Sequence, residues 1–240
     1  MTRVAVPDRM DKRLRALGLV EAHRMARAVF AEVTGRGLVL PGRTERELDA
    51  RVWDVAAEVF PFVGQRRGRL VRSGPHAVVP SGGHQEATDR VICRDDVVVI
   101  DLGALLAVRE TDFARTVVVG DDPGRIQLVA DLAAVAAGAR EAFVGNEDIT
   151  GRELHAEIEA LAGKAGWSLG TWHVGRLSGA AVPRPGHGTR RDLFIGPDNT
   201  DPLRRTVVGG WWAHWILEVC LVDDYDAGLG GSFKQLLGLA

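Results

Sequence analysis

A short helix-start sequence occurs twice in this chain, and this repeat is the strongest constraint on its fold. The pattern T-x-R-E-L-x-A spans residues 44–50 and recurs at 150–156, a shift of 106 residues. In both copies a threonine stands three residues before a glutamate, the capping-box spacing in which the two side chains satisfy free amides at a helix start. Each copy follows a long predicted helix and a turn. We therefore predict one domain made by internal duplication, with two α+β halves at about 1–121 and 122–240 around a pseudo-twofold axis.

The sequence between the repeats predicts further elements. Residues 10–33 have the periodicity of an amphipathic helix, with Val20 towards the edge of an apolar stripe formed by Leu14, Leu17, Met25, Ala28 and Val29. The β-branched runs at 96–103 and 112–120 are separated by a short connection and predict a β-hairpin. Two more strands are predicted at Trp212–Leu221 and near Ser232–Leu237.

Composition excludes several classes of function. The net charge of −2 argues against a dedicated nucleic-acid binder. Two cysteines provide no disulfide framework and fit a reducing interior. The first residues do not resemble a signal peptide, and no apolar run reaches membrane-spanning length. We therefore expect a cytoplasmic protein with no nucleic-acid partner and no membrane partner.

Three acidic residues stand in otherwise apolar predicted strands. Asp101 and Asp112 lie on the two strands of the predicted hairpin, and Glu218 lies within WWAHWILEVCLV. Two facing carboxylates repel each other unless a cation or a proton lies between them, and ionised glutamate is seldom buried without a partner. In the later strand, alternation places His214 and Cys220 on the same face as Glu218. These carboxylates therefore predict a functional site.

The segments around these residues resemble a known family. Ser73-Gly74-Pro75, Thr88-Asp89-Arg90, the run VVIDLG at 98–103 and the run TDFART at 111–116 are similar to the methionine aminopeptidase/prolidase/creatinase family. The resemblance covers most of the chain and corresponds to the catalytic domain alone. It implies the pita-bread fold, an α+β architecture of pseudo-twofold duplicated halves with curved antiparallel sheets.

The resemblance also implies a ligand set, which this chain matches only in part. In the family, two Asp, one His and two Glu hold two divalent metals that activate a water for peptide hydrolysis. Asp101 and Asp112 match the two aspartates, and Glu218 matches the first glutamate. Arg176 stands where the family motif Gly-His-x-x-Gly has its histidine, and Lys234 stands where the last strand brings the second glutamate.

The charges at these positions favour a site without metal. The three carboxylates contribute −3, and Arg176 and Lys234 contribute +2 without any metal ion. A dication next to these side chains would be repelled, and neither side chain is a metal ligand at neutral pH. We therefore expect no cofactor. In the alternative, one Mn, Fe, Co or Zn ion is held by Asp101, Asp112 and Glu218.

Five further side chains are candidates for substrate contact: His76, His84, His173, Trp212 and His214. His76 and His84 lie in the loop where the family keeps a substrate histidine, and the sequence leaves open which of them corresponds. His173 matches either the missing metal histidine or an upstream histidine that handles substrate. His214 shares a strand face with Glu218, and Trp212 is expected in a pocket wall.

We therefore expect a metal-independent enzyme in which Asp101, Asp112, Glu218, Lys234 and Arg176 perform acid/base chemistry. Its partner would be a small, amino-acid-derived anionic substrate held by Arg176, with Lys234 lowered in pKa or able to form an imine. Lyase, isomerase, cyclase and non-peptide hydrolase reactions all fit, and creatinase is the precedent in the family. Two alternatives remain: a metal-dependent Xaa-Pro-type aminopeptidase or dipeptidase with altered ligands, and a non-catalytic peptide- or protein-binding module. A homodimer is compatible with the resemblance.

Overall fold

The computed structural model of this protein describes residues 8–60, 68–78, 89–106, 112–180 and 190–239. Within these ranges, a pair of long helices followed by strands occurs twice along the chain. The helices are α1 (Arg9–Gly35), α2 (Glu45–Val59), the single-turn α3 (Gly103–Leu106), α4 (Pro123–Gly145) and α5 (Gly151–Lys164). The strands are β1 (Val71–Ser73), β2 (Val97–Asp101), β3 (Ala114–Val118), β4 (Ser168–Leu169), β5 (Gly175–Leu177), β6 (Phe194–Ile195), β7 (Trp215–Val222) and β8 (Gly230–Leu237).

These strands form one sheet, and its middle joins the two halves of the chain. The order is β1-β2-β3-β8-β7-β5-β6, with β4 paired to β7, and the described pairings are antiparallel. β1 to β3 precede α4 and α5, and the other strands follow them. The β3–β8 pair is therefore the seam between the halves, where Ala114 lies opposite Lys234. The Arg115 guanidinium stabilises this seam, because it lies between the rings of Phe113 and Phe233 and donates to the Lys234 carbonyl.

Each helix pair covers its own apolar core. Leu48 and Val52 of α2 pack in one buried cluster with Ile100 of β2. Leu132 of α4 packs in a second cluster with Trp215 of β7. Both repeats begin their helices with the predicted capping box, at Thr44 with Glu47 and at Thr150 with Glu153. This arrangement confirms the α+β duplication, while the division near residue 121 stays a prediction.

The apolar stripe predicted for α1 is wrong. Leu14 and Leu17 are 58% and 56% exposed, and Val29 is the one residue of the predicted stripe that is buried. The buried face consists of Leu19, Ala22, His23, Ala26, Val29 and Val33. The prediction placed the larger apolar side chains on the buried face. In the structure this face includes alanines, whose small side chains let the helix lie close to its neighbours. The first turns of α1, which carry Leu14 and Leu17, have no buried residue.

The other predicted elements agree with the structure. The hairpin is β2 and β3, paired antiparallel, with α3 in the connection between them. The two later strands are β7 and β8, each shifted by up to three residues from its predicted bounds. No helix within the described ranges combines the length and apolar character that crossing a bilayer requires.

A fully buried glutamate ties the start of α2 to β1 and to the turn that follows it. Glu45 has no exposed surface and accepts hydrogen bonds from the Ser73 amide at 2.6 Å, the Ser73 hydroxyl at 2.9 Å and Arg69 at 2.8 Å. Nδ1 of His76 lies 3.0 Å from the same carboxylate. Because Arg72 lies between Arg69 and Ser73 in the chain, this cluster also fixes the backbone that carries Arg72.

His23, on the buried face of α1, is held neutral by its surroundings. It is 3% exposed, and its ring packs edge-on against Phe113 at 5.5 Å between centroids. Burial, followed by the positive charges of Arg115 and Arg27, lowers the pKa of His23 to about 4.

We expect Glu45→Gln to lower the free energy of unfolding by about 2–4 kcal/mol, because it leaves several buried donors without an ionised acceptor. Urea denaturation measures the change. Glu157→Gln, an exposed residue of α5, is the matched control and should change stability by less than about 0.5 kcal/mol. Equal effects of the two substitutions would contradict the role of Glu45.

We also expect the protein to lose stability as the pH falls from about 6.5 to about 4, partly because of His23. An unfolded histidine has a pKa near 6.5, so in this window the unfolded state binds a proton that the folded state excludes. His23→Phe should reduce the number of protons taken up on unfolding by about one. Urea denaturation of both proteins between pH 7 and pH 4.5 tests this, and identical slopes would show that His23 titrates normally in the folded state.

Candidate functional site

The structure brings the five predicted catalytic residues together on adjoining strands. Asp101 ends β2, Asp112 lies just before β3, Arg176 lies in β5, Glu218 in β7 and Lys234 in β8. Glu218 and Lys234 are directly opposite each other in the β7–β8 register. All five side chains are at most 14% exposed. The sheet therefore assembles a largely buried cluster of charges.

Arg176 bridges two of the three carboxylates. Its Nε donates to Glu218 Oε1 at 2.7 Å, and its Nη2 donates to Asp112 Oδ2 at 2.9 Å. Its Nη1 donates to the Ala180 carbonyl at 3.0 Å. Every nitrogen of the guanidinium is thus engaged by an oxygen of the protein.

Lys234 bridges a second pair of carboxylates, which again includes Asp112. Its ammonium donates to Asp101 Oδ2 at 2.9 Å and to Asp112 Oδ2 at 3.1 Å. Asp112 Oδ2 therefore accepts from both Lys234 and Arg176. Asp112 is the centre of the cluster.

Backbone amides hold the remaining oxygens of the two aspartates. Gly103 N donates to Asp101 Oδ1 at 3.1 Å, and Phe113 N donates to Asp112 Oδ1 at 2.8 Å. A Cβ at position 103 would overlap the Asp112 carboxylate. Glycine at this position is therefore what allows the two aspartates to approach each other so closely.

Arg72 is the site residue that the sequence analysis missed. Its Nη2 lies 3.7 Å from Asp101 Oδ2, and its side chain is 10% exposed. With Arg72, three basic side chains face three carboxylates, so the formal charge of the cluster is zero rather than −1. The reasoning that selected Glu218 could have found it, because Arg72 is likewise a charged residue within a buried strand, β1.

The neighbouring carboxylates keep Lys234 and Arg176 charged. Burial lowers the pKa of Lys234, but the charges of Asp101, Asp112 and Glu218 raise it by more, so its net pKa lies above the ordinary lysine value. The expectation of a lowered lysine pKa is therefore wrong, because three acids surround the ammonium. Burial likewise opposes the charge of Arg176, and Glu218 and Asp112 outweigh it and raise its pKa.

Asp112 is subject to opposing effects on its charge. Burial raises its pKa, and the neighbouring charges of Asp101 and Glu218 act in the same direction. Lys234 and Arg176 oppose this rise only in part, so the net pKa of Asp112 lies above the ordinary aspartate value. The cations and the carboxylates of the cluster thus stabilise one another's charged forms.

His173 lies next to Glu218 without a hydrogen bond to it. Its Nδ1 is 3.9 Å from Glu218 Oε2, and within the described part of the chain this buried nitrogen has no hydrogen-bond partner. The ring packs against Trp172 and Phe194, at 4.7 and 5.0 Å between centroids. Burial, followed by the charges of Arg176 and Lys234, lowers the pKa of His173 to about 4, so the ring is neutral at pH 7.

The other candidates for substrate contact lie in different surroundings. His76 bonds to Glu45, as described above. His214 is buried beside Arg15, and burial with this charge lowers the pKa of His214 to about 4. Trp212 is 47% exposed and lies under the Lys12 ammonium at 5.6 Å. His84 lies outside the described residues. A role in substrate binding stays a prediction for all of these residues.

The residues present do not fit a dinuclear metal centre. Arg176 and Lys234 stand where the resemblance implies the family's metal histidine and second glutamate, and their donors lie at hydrogen-bond distance between the carboxylates. A divalent ion in the same space would face two protonated groups instead of two ligands. In the part of the chain that the structure describes, no group of three or more His, Cys, Asp or Glu side chains is arranged to hold a metal.

We expect Lys234→Met to lower the free energy of unfolding by about 3–5 kcal/mol, because Asp101 and Asp112 would lose the cation between them. Adding Asp112→Asn to this variant should recover a large part of the loss, since it removes one of the two repelling charges. Chemical denaturation of the wild type, both single variants and the double variant measures the coupling. Additive effects of the two substitutions would contradict a network centred on Asp112.

Solved structures of similar fold support the relationship that the sequence suggested. A dipeptidase from Pyrococcus horikoshii OT3 is 21% identical with a TM-score of 0.69, over 96% of this chain and 58% of that one. An X-Pro aminopeptidase from Thermotoga maritima MSB8 is 20% identical with a TM-score of 0.69, over 98% and 60%. The chain thus spans about three fifths of the length of these two proteins. A methionine aminopeptidase from Thermotoga maritima is 17% identical with a TM-score of 0.62, over 98% and 94%.

No curated protein sequence matches the chain. The model of metallopeptidase family M24 matches residues 18–206, which include the segments on which the resemblance was based. This match and the shared fold confirm the resemblance and the pita-bread architecture. The chain belongs to metallopeptidase family M24.

Proposed function

We propose that this protein is a metal-independent member of its family that acts by acid/base chemistry on a small, amino-acid-derived molecule. One observation carries this proposal: Arg176 and Lys234, which stand where the resemblance implies two metal ligands, hydrogen-bond to the three carboxylates. Each of these cations links two acids. Folding alone thus supplies the positive charge that the family obtains from metal ions.

Within this proposal, the residues of the cluster have different roles. Asp101, Asp112, Lys234 and Arg176 bond mainly to one another, so they hold a fixed electrostatic framework. Glu218 shares only one of its oxygens with Arg176 and lies next to the neutral His173. We therefore assign proton transfer to Glu218 and His173. Because each nitrogen of Arg176 already bonds to the protein, Arg176 is assigned to this framework rather than to a substrate carboxylate.

A non-catalytic binding module is the second candidate. It is favoured because the hydrogen-bond donors of Arg176 and Lys234 are already used within the cluster. The three acids also raise the pKa of Lys234 and keep it protonated, and a protonated lysine does not act as a base or a nucleophile. Measuring whether the protein converts its ligand separates these two candidate functions. An enzyme converts its ligand in a way that Glu218→Gln abolishes, whereas a binding module returns the ligand unchanged.

Metal uptake tests the proposal directly. We expect wild-type protein dialysed against Mn²⁺, Fe²⁺, Co²⁺ or Zn²⁺ to retain less than about 0.1 equivalent by elemental analysis. The double variant Arg176→His with Lys234→Glu restores two Asp, one His and two Glu, and it should bind up to two equivalents. Its thermal midpoint should then rise with added Co²⁺, since a ligand that binds only the folded state stabilises it.

The double variant Arg176→Gln with Lys234→Gln is the matched control, because it removes both positive charges without adding a ligand. It should bind less Co²⁺ than the restored variant and gain less thermal stability from it. Two tightly bound equivalents in the wild type would overturn the proposal and favour a metallopeptidase. Equal uptake by the restored and control variants would show that the cations do not replace the ligands.

A further inference from the structure

Among the described residues, every carboxylate oxygen of the charge cluster except one accepts a hydrogen bond. The three carboxylates have six oxygens, and five of them accept a hydrogen bond from Gly103 N, Phe113 N, Lys234 or Arg176. Within the described residues, the sixth oxygen, Glu218 Oε2, accepts none. His173 Nδ1 lies 3.9 Å from this oxygen, which is too far for a hydrogen bond.

The atom that faces this oxygen is also unsatisfied. His173 Nδ1 is buried and has no partner in the described part of the chain. A buried polar atom without a partner costs about 1–3 kcal/mol, so His173 Nδ1, next to a carboxylate oxygen that accepts no described hydrogen bond, points to a missing third group. The Glu218 side chain keeps 14% of its surface exposed, so a small molecule can reach it from solvent.

The surroundings of Glu218 Oε2 carry negative charge, although the cluster as a whole is neutral. Asp101 faces both Lys234 and Arg72, and Asp112 faces both Lys234 and Arg176. Glu218 hydrogen-bonds to a single basic side chain, Arg176, and shares it with Asp112. The negative end of this neutral cluster therefore lies at Glu218, on the side of Oε2.

We propose that Glu218 Oε2 and His173 Nδ1 together bind the protonated primary amine of the substrate. This inference rests on the proposed function and specifies its substrate class, an amine instead of the anion expected from sequence. An ammonium supplies one N–H to the carboxylate and a second to the neutral imidazole, which accepts through Nδ1. A hydroxyl could make both contacts, but it would leave the negative charge unpaired.

The surroundings of His173 fit the remainder of such a ligand. Trp172 packs against the imidazole and is 37% exposed, so it offers an aromatic surface near the amine position. Arg191 lies over the Trp172 ring at 4.1 Å, which shows that this ring accepts a cation on one face. A substrate with an amine and a short apolar or aromatic part matches this surface.

Three probes with the same ring separate the substrate classes. Benzylamine and benzyl alcohol carry an amine or a hydroxyl on one methylene, and benzoate carries a carboxylate directly on the same ring. We expect EDTA-dialysed protein to bind benzylamine at least tenfold more tightly than the other two, measured by saturation-transfer NMR titration. The ¹⁵N resonance of His173 Nδ1 should shift on addition of benzylamine, whereas those of His155 and His214 should not.

Glu218→Gln should weaken benzylamine binding by tenfold or more, because a charge-assisted hydrogen bond is lost. His173→Phe keeps the ring packing and should weaken binding by a smaller factor. Glu157→Gln, the exposed control on α5, should leave binding unchanged. The wild-type ¹⁵N shift remains decisive even if Glu218→Gln fails to fold.

Each other outcome overturns a specific claim. Tighter binding of benzoate, equal binding of the alcohol, or no binding of any probe would overturn the amine assignment while the metal-independent function stands. Benzylamine binding with no shift at His173 would place the ligand elsewhere and also overturn it. Binding of benzylamine only after Co²⁺ is added would instead overturn the proposed function.

Discussion

Three carboxylates buried within a few ångströms of one another are the constraint on which the rest of this structure depends. Leaving them ionised and unpaired would cost several kcal/mol per charge, and such groups would take up protons instead. The sheet order solves this problem, because β8 and β5 bring Lys234 and Arg176 to the aspartates, and β1 brings Arg72. The described part of this fold thus positions ion pairs among the three carboxylates.

The sequence allowed much of this site to be predicted, because strand alternation fixes which side chains share a face. Apolar strand patterns singled out Asp101, Asp112 and Glu218, whereas Arg176 and Lys234 were placed beside them only by the resemblance to the family. Arg72 is also a charged residue in a buried strand, but β1 is only three residues long, so its apolar context is short and was overlooked. The α1 stripe was wrong because side-chain size says little about which face of a helix makes the closest contact. Hydrogen-bond partners, such as Asp112 for both cations, depend on distances that no pattern encodes.

The proposed replacement of metals by side chains changes the chemistry available to the site. A bound metal is a Lewis acid with open coordination positions, whereas a protonated lysine or arginine offers only hydrogen-bond donors, and these are already used here. On this proposal, proton transfer and substrate contact fall to Glu218, whose Oε2 accepts no hydrogen bond from the described residues, and to the neighbouring His173.

The position of β8 also has a consequence for the order of events during folding. Lys234 and Asp101 are 133 residues apart in the chain, and they meet only when the β3–β8 seam closes. Contacts between such distant residues form late, because a long loop must be ordered first. Because Lys234 donates to both aspartates only across the closed seam, completion of the sheet and neutralisation of these two carboxylates are the same event.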